Sequence, residues 1–156
     1  MRLFLLLLML LPTTLSAQFD GPPNNAAEYE EQYLWRIRQT RLQGVYIPKD
    51  LPEAIRELSR LSDAESQRSF AAAPEEDIYR ELFHGLGRWI RRNWGFNGGS
   101  RLAVALEPLG IKHPDDLAQL IVVVWHRELN GKSHDLSELV DAIKEKRRQL
   151  YLESLD

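Results

Sequence analysis

Pro114-Asp-Asp-Leu-Ala-Gln-Leu-Ile-Val-Val-Val-Trp-His-Arg-Glu-Leu-Asn130 is the stretch on which the fold turns. A proline followed by two acids suits a helix start. Proline has no N–H to leave unsatisfied, and carboxylates oppose the positive end of the helix dipole. Asn130-Gly131 closes the segment. At about 100° per residue, Leu117, Leu120, Ile121, Val124, Trp125 and Leu129 form a wide apolar arc. Asp115, Asp116, Gln119, His126, Arg127 and Asn130 fall on the other side. Such a helix is expected at the centre of the molecule, largely covered. Glu128 projects into the apolar arc.

A second apolar helix is predicted from Pro74 to Trp94, opened by Glu75, Glu76 and Asp77 and stopped by Gly95. Ile78, Leu82, Leu86, Trp89, Ile90 and Trp94 share its broad face, with Asn93 among them. His84, Arg88 and Arg91 stack as a basic strip on the opposite face. Gly85 and Gly87 lie inside this helix, where glycine costs about 1 kcal/mol relative to alanine. Close helix–helix contact is the expected reason.

The remaining helices follow from caps. Ala26 to about Leu42 is a polar, amphipathic helix, and Gly44–Pro48 an extended piece. Asp50 with Glu53, Ser62 with Glu65, and Asp135 with Glu138 have capping-box spacing. Gly95–Gly99 is a tight turn, after which Ser100 caps a short helix from Arg101. No strand–helix–strand pattern and no internal repeat occurs. The expected fold class is all-α, a compact array of six or seven short helices after an N-terminal signal peptide.

That signal is read from Arg2, the apolar run Leu3–Leu11, Pro12 and the small residues to Ala17. The run is shorter than the roughly 20 residues that span a bilayer. The expected organisation is 1–17 signal peptide, 18–44 polar spacer and first helix, 45–131 helical core domain, and 132–156 a C-terminal helix packing on the core. The expected address is exported, periplasmic or secreted, with no stable membrane span after cleavage at Ala17–Gln18. Cysteine is absent, so packing alone must hold the fold. Twenty basic and 23 acidic residues give a net charge of -3, or -4 once Arg2 is lost. Such a balance argues against a nucleic-acid partner.

Several stretches occur together in order: Ile47-Pro-Lys-Asp-Leu51, His84-Gly-Leu-Gly-Arg-Trp-Ile-Arg-Arg-Asn-Trp-Gly95, Gly99-Ser-Arg-Leu102, His113-Pro-Asp-Asp-Leu117 and His126-Arg-Glu-Leu-Asn-Gly131. Over roughly Val45 to Gly131 the chain resembles an uncharacterised bacterial domain family. The family pattern is IPK-x-L, GLG-x-WIRN-x-WG, GSRL, HPDD and LNG. The chain departs from it at Arg92, where the pattern has Asn, and at Phe96-Asn97, where an aliphatic–Trp pair is usual. The resemblance implies an all-helical domain and carries no activity with it.

The residues offer little catalytic chemistry. There is no Gly-x-Ser-x-Gly elbow, and without cysteine there is no thiol nucleophile. His84, His113, Asp115, Asp116 and His126 lack the local spacing of a zinc site, so no metal and no cofactor is expected. Asn93, Arg101 and Glu128 form the candidate buried polar network, with Arg101 binding the Glu128 carboxylate in two-pronged fashion. Glu128 and Asp116 are the catalytic candidates, as acid or base. His84, Arg88, Arg91 and Arg92 are the ligand- or partner-binding candidates, suited to a glycan carboxylate or an acidic protein patch. The function expected is a non-enzymatic binding module engaging a protein or another cell-envelope component. The alternatives are a small hydrolase of an envelope polymer and a toxin-neutralising protein.

Overall fold

The computed structural model describes residues 22–81, 85–133 and 135–155. The expected signal peptide, Leu82 and His84 lie outside these. Among the described residues the chain forms eight α-helices, one short 3-10 turn at Glu107–Leu109 and one two-stranded hairpin. The helices are α1 (Ala26–Arg36), α2 (Leu51–Leu61), α3 (Ala64–Ala72), α4 (Glu75–Glu81), α5 (Leu86–Asn93), α6 (Arg101–Leu106), α7 (Pro114–Leu129) and α8 (Leu136–Glu153). The strands are β1 (Arg41–Leu42) and β2 (Val45–Tyr46). No described helix is long and apolar enough to cross a membrane.

Helix α7 is the centre. Helices α2, α3, α4, α5 and α8 all pack on it, and the run Leu120–His126 is buried without a break. A helix covered through nearly two turns has no open face, so two residues expected on its polar side turn inward. His126 is 2% exposed, its Nε2 lies 3.0 Å from the Ala73 carbonyl oxygen, and its ring meets Phe70 edge-on. Asp116 is also buried, with its carboxylate on Arg147 of α8. Trp125 stacks on Phe70 at 4.6 Å and donates its indole N–H to Ser59 Oγ at 2.9 Å.

Local signals place most helix ends. Asp50 accepts the Glu53 N–H at 2.8 Å, and Glu53 answers by accepting the Lys49 N–H at 2.6 Å, one residue upstream of the usual capping-box donor. Asp135 accepts the N–H groups of Ser137 and Glu138, and Ser100 accepts that of Ala103. The cap of α3 is Asp63 rather than Ser62, because Asp63 reaches the Ser66 N–H at 2.8 Å.

Three expectations are corrected. The described residues form eight α-helices instead of six or seven, because one expected helix divides in two. The first helix stops at Arg36, and the chain turns through the hairpin, pairing Arg41 with Tyr46 and Leu42 with Val45. Its turn residues Gln43 and Gly44 have φ of 49° and 81°, the doubly positive form that matches strand twist. Glycine adopts that form freely, whereas Gln43 holds it against its preference. The single helix expected from Glu75 to Trp94 is instead α4 and α5. Gly85 (φ -121°, ψ -118°) stands outside helical geometry at the start of α5, where a residue without Cβ breaks the helix at little cost.

Helix α1 buries no residue of its own and is tied down by polar and ring contacts. Arg36 Nε donates to the carbonyl oxygens of Gly98 and Gly99 at 2.9 and 3.1 Å. Gly99 (φ 84°) lies so close to the Tyr33 ring that a Cβ would collide with it.

Candidate functional site

The short helix α5 has two faces with different tasks. Gly87 and Ile90, followed by Trp94 just beyond its end, are buried against the core. Arg91 reaches sideways, its Nη1 donating to Asp115 Oδ1 at 2.7 Å at the first turn of α7. That ion pair fixes the rotation of α5. Gly85, Arg88, Trp89, Arg92 and Asn93 are left facing outward, where they line a depression of about 520 Å³ together with Gln43 from the hairpin turn. No carboxylate is among these lining residues.

Trp89, expected on the core face, is 37% exposed. Its ring sits edge-on to Trp94, with centroids 5.9 Å apart and planes at 72°. The Trp89 carbonyl accepts from Asn93 Nδ2 at 2.9 Å, which orients that amide. Arg88 and Arg92 are both exposed, one turn apart on the helix. Of the basic candidates, therefore, Arg88 and Arg92 share the depression, Arg91 is a tether and His84 is outside the described residues.

Residues 47–129, more than half of the chain, match the family described as a domain of unknown function (DUF6794). The chain belongs to this family. No characterised protein and no solved structure matches it. Most of the depression lies inside the DUF6794 domain, from Gly85 to Asn93, while Gln43 is contributed from just before it. The ion-pair partner of Asp116, Arg147, comes from the helix that follows the domain.

The expected network of Asn93, Arg101 and Glu128 does not form. Glu128 is exposed to water. Arg101 instead donates through Nε to the Ile47 carbonyl oxygen at 2.7 Å, lies 3.7 Å from Glu53 and covers the Tyr46 ring at 5.2 Å. It thereby pins the start of the DUF6794 domain to α6. Helix α7 is wrapped so far around its axis that the position of Glu128 on the wheel falls just beyond the packed part of the helix, near its last turn.

Of the two catalytic candidates, Glu128 is exposed and Asp116 is ion-paired. Asp116 Oδ1 and Oδ2 accept two charge-assisted bonds from Arg147, at 2.6 and 2.9 Å. They lie at the edge of a second cleft, of about 370 Å³, beside Lys112, His113 and Lys144. A catalytic acid needs a carboxyl held in its protonated form near neutral pH, usually by burial. Where carboxyl pKa values clearly move here, they move down. The backbone N–H of Asn24 lowers Glu28, the Arg60 guanidinium lowers Glu57, the Ser66 N–H lowers Asp63, Arg127 lowers Glu75, and Arg148 holds Glu145 at about 2. Among the described residues no group of three or more His, Asp or Glu side chains converges as a metal site.

The pair of Glu75 and Arg127 makes acid stability testable. Arg127 Nη2 and Nε donate to the Glu75 carboxylate at 2.7 to 3.2 Å and hold its pKa below the ordinary 4.5. A carboxyl with a depressed folded pKa contributes stability above its unfolded pKa and loses it as pH falls through the folded value. Arg127→Met is expected to cost about 1 kcal/mol at pH 7, the scale of a half-exposed pair, and to flatten the loss of stability below about pH 4.5. Urea unfolding of both proteins between about pH 7 and pH 3 measures this. Parallel curves would show that the pair contributes nothing.

Sequence reasoning found the arginines of the depression and missed Trp89 and Gln43. The signal for Trp89 was present. With Gly85 taken as the start of α5 rather than its interior, Trp89 falls beside Arg88, Arg92 and Asn93. Nothing local marked Gln43, which reaches the depression only because the hairpin folds there.

Proposed function

We propose that this DUF6794 protein is an exported, non-enzymatic binding module of the cell envelope, and that the outer face of α5 is its recognition surface. The observation that carries the reading is the depression in which an exposed indole lies beside the arginine side chains Arg88 and Arg92. Tryptophan and arginine are among the side chains that most often dominate binding energy. The exposed Arg92 guanidinium places a positive charge at the depression, which favours anions. The leader-like residues 1–17 supply the address, since an envelope ligand has to be met outside the cytoplasm. The ion pair of Asp116 with Arg147 favours binding over hydrolysis.

The test uses mature protein recovered from the envelope fraction, whose N-terminus is expected at Gln18. Immobilised wild type is expected to retain an envelope component that an Arg88→Ala/Arg92→Ala double variant releases. The Arg91→Ala variant is expected to lose stability first, because Arg91 holds α5 to α7. Equal recovery by wild type and the double variant would overturn the assignment of this face, and an N-terminus at Met1 would overturn the assignment of export.

A further inference from the structure

We infer that the ligand recognised by the α5 face is a sugar bearing a carboxylate, an inference that rests on that face being the recognition surface. The size of the depression is the first argument. About 520 Å³ falls within the volume range of small-molecule sites, and the depression is shallow and open to solvent. The second is the supply of apolar area. A stable protein partner needs roughly 800 Å² of contact on each side, built around a cluster of buried anchors. Of the described large apolar residues that stand exposed, Trp89 alone lines this depression, the others belonging to α1, to α2 and to the end of α8. One indole is a platform for one ring.

The third argument is the match of polar groups. The axial C–H face of a pyranose is apolar and stacks on an aromatic ring, while its rim carries hydroxyls that both donate and accept. Gln43 and Asn93 are the two amides of the depression, and an amide offers both a donor and an acceptor to such hydroxyls. Arg92 stands one turn beyond Arg88, its planar fork suited to two parallel bonds with a carboxylate.

The experiment follows the Trp89 indole N–H in two-dimensional proton–nitrogen NMR, identified by its loss in Trp89→Phe. Glucuronate, galacturonate and N-acetylmuramate are titrated to about 10 mM beside glucose, galactose and N-acetylglucosamine, with a short polyglutamate and a nucleoside monophosphate as the other anions. At least one carboxylated sugar is expected to move the Trp89 signal with an affinity tenfold or more above its neutral counterpart. Arg92→Ala, an exposed change that leaves the Trp94 and Trp125 signals in place, is expected to weaken that binding about tenfold. If no carboxylated sugar moves the signal, or if polyglutamate or the nucleotide binds more tightly, the sugar assignment falls. Arg92-dependent binding of polyglutamate would leave the recognition face standing. Silence from every probe, with envelope recovery independent of Arg88 and Arg92, would remove both.

Discussion

Trp94→Ala is expected to lower the unfolding free energy by about 3–5 kcal/mol, the cost of deleting a buried large aromatic ring. Trp94 is fully buried, the largest side chain among the described residues to be so. It ends α5, with its N–H donating to the Ile90 carbonyl at 2.8 Å, and it supports the Trp89 ring from behind. The cavity would open in the hydrophobic core, where neighbours fixed by their own helices collapse only in part. Against a total stability of about 5–15 kcal/mol, such a loss takes the domain close to its unfolding threshold. Trp94→Phe is the informative control. The Trp94 indole N–H is buried with no hydrogen-bond partner among the described residues. Phenylalanine therefore removes an unsatisfied donor along with some volume, and should cost under about 2 kcal/mol. Urea unfolding followed by circular dichroism reads both variants. A loss below about 1 kcal/mol for Trp94→Ala would mean that this ring does not hold α5 in place, and the exposed position of Trp89 would lose its support.

Arg147→Ala is expected to cost about 2–3 kcal/mol, and Asp116→Ala clearly less. The asymmetry comes from exposure. The Asp116 side chain is 11% exposed and that of Arg147 is 42% exposed. Removing the arginine strands a carboxylate in a site that water barely reaches. Removing the aspartate leaves a guanidinium that turns to solvent. The cost stays at the low end for a broken buried pair because the arginine half is wet. The double variant should cost less than the sum of the two, since each single change already destroys the same interaction. Equal effects of the two single changes, or strict additivity, would show that the pair is decorative. The outcome also bears on chemistry, because a tether between α7 and α8 explains the buried Asp116 without any catalytic role.

The helical class was legible because its signals are local. Asp50, Ser100 and Asp135 announce helix starts through side chains that bond backbone groups two or three residues away, Pro114 does so by its fixed φ and missing N–H, and the apolar run Leu120–Trp125 marks a helix that other helices must cover. The resemblance over Val45–Gly131 and the family match over residues 47–129 agree for the same reason, both being read along the chain. Errors arose where a helical wheel had to assign a face. The wheel gives angles about one axis and says nothing of how many neighbours surround it, so Asp116 and His126 were set on an open side that α8 and the α3–α4 connection close. A wheel drawn through Gly85 also carried Trp89 to the wrong side of a helix that in fact begins there.

From the sequence alone came the helices, their caps, the central place of α7 and the arginines of α5, all of which rest on contacts within a few residues. Tertiary structure alone decided which of those arginines face water, that Arg101 serves Ile47 and Glu53 instead of Glu128, that Arg36 grips Gly98 and Gly99, and that Gln43 meets Trp89 across a depression. These partners lie far apart along the chain, and side-chain chemistry specifies what a group can bond without specifying which of several competent partners the packing will deliver to it.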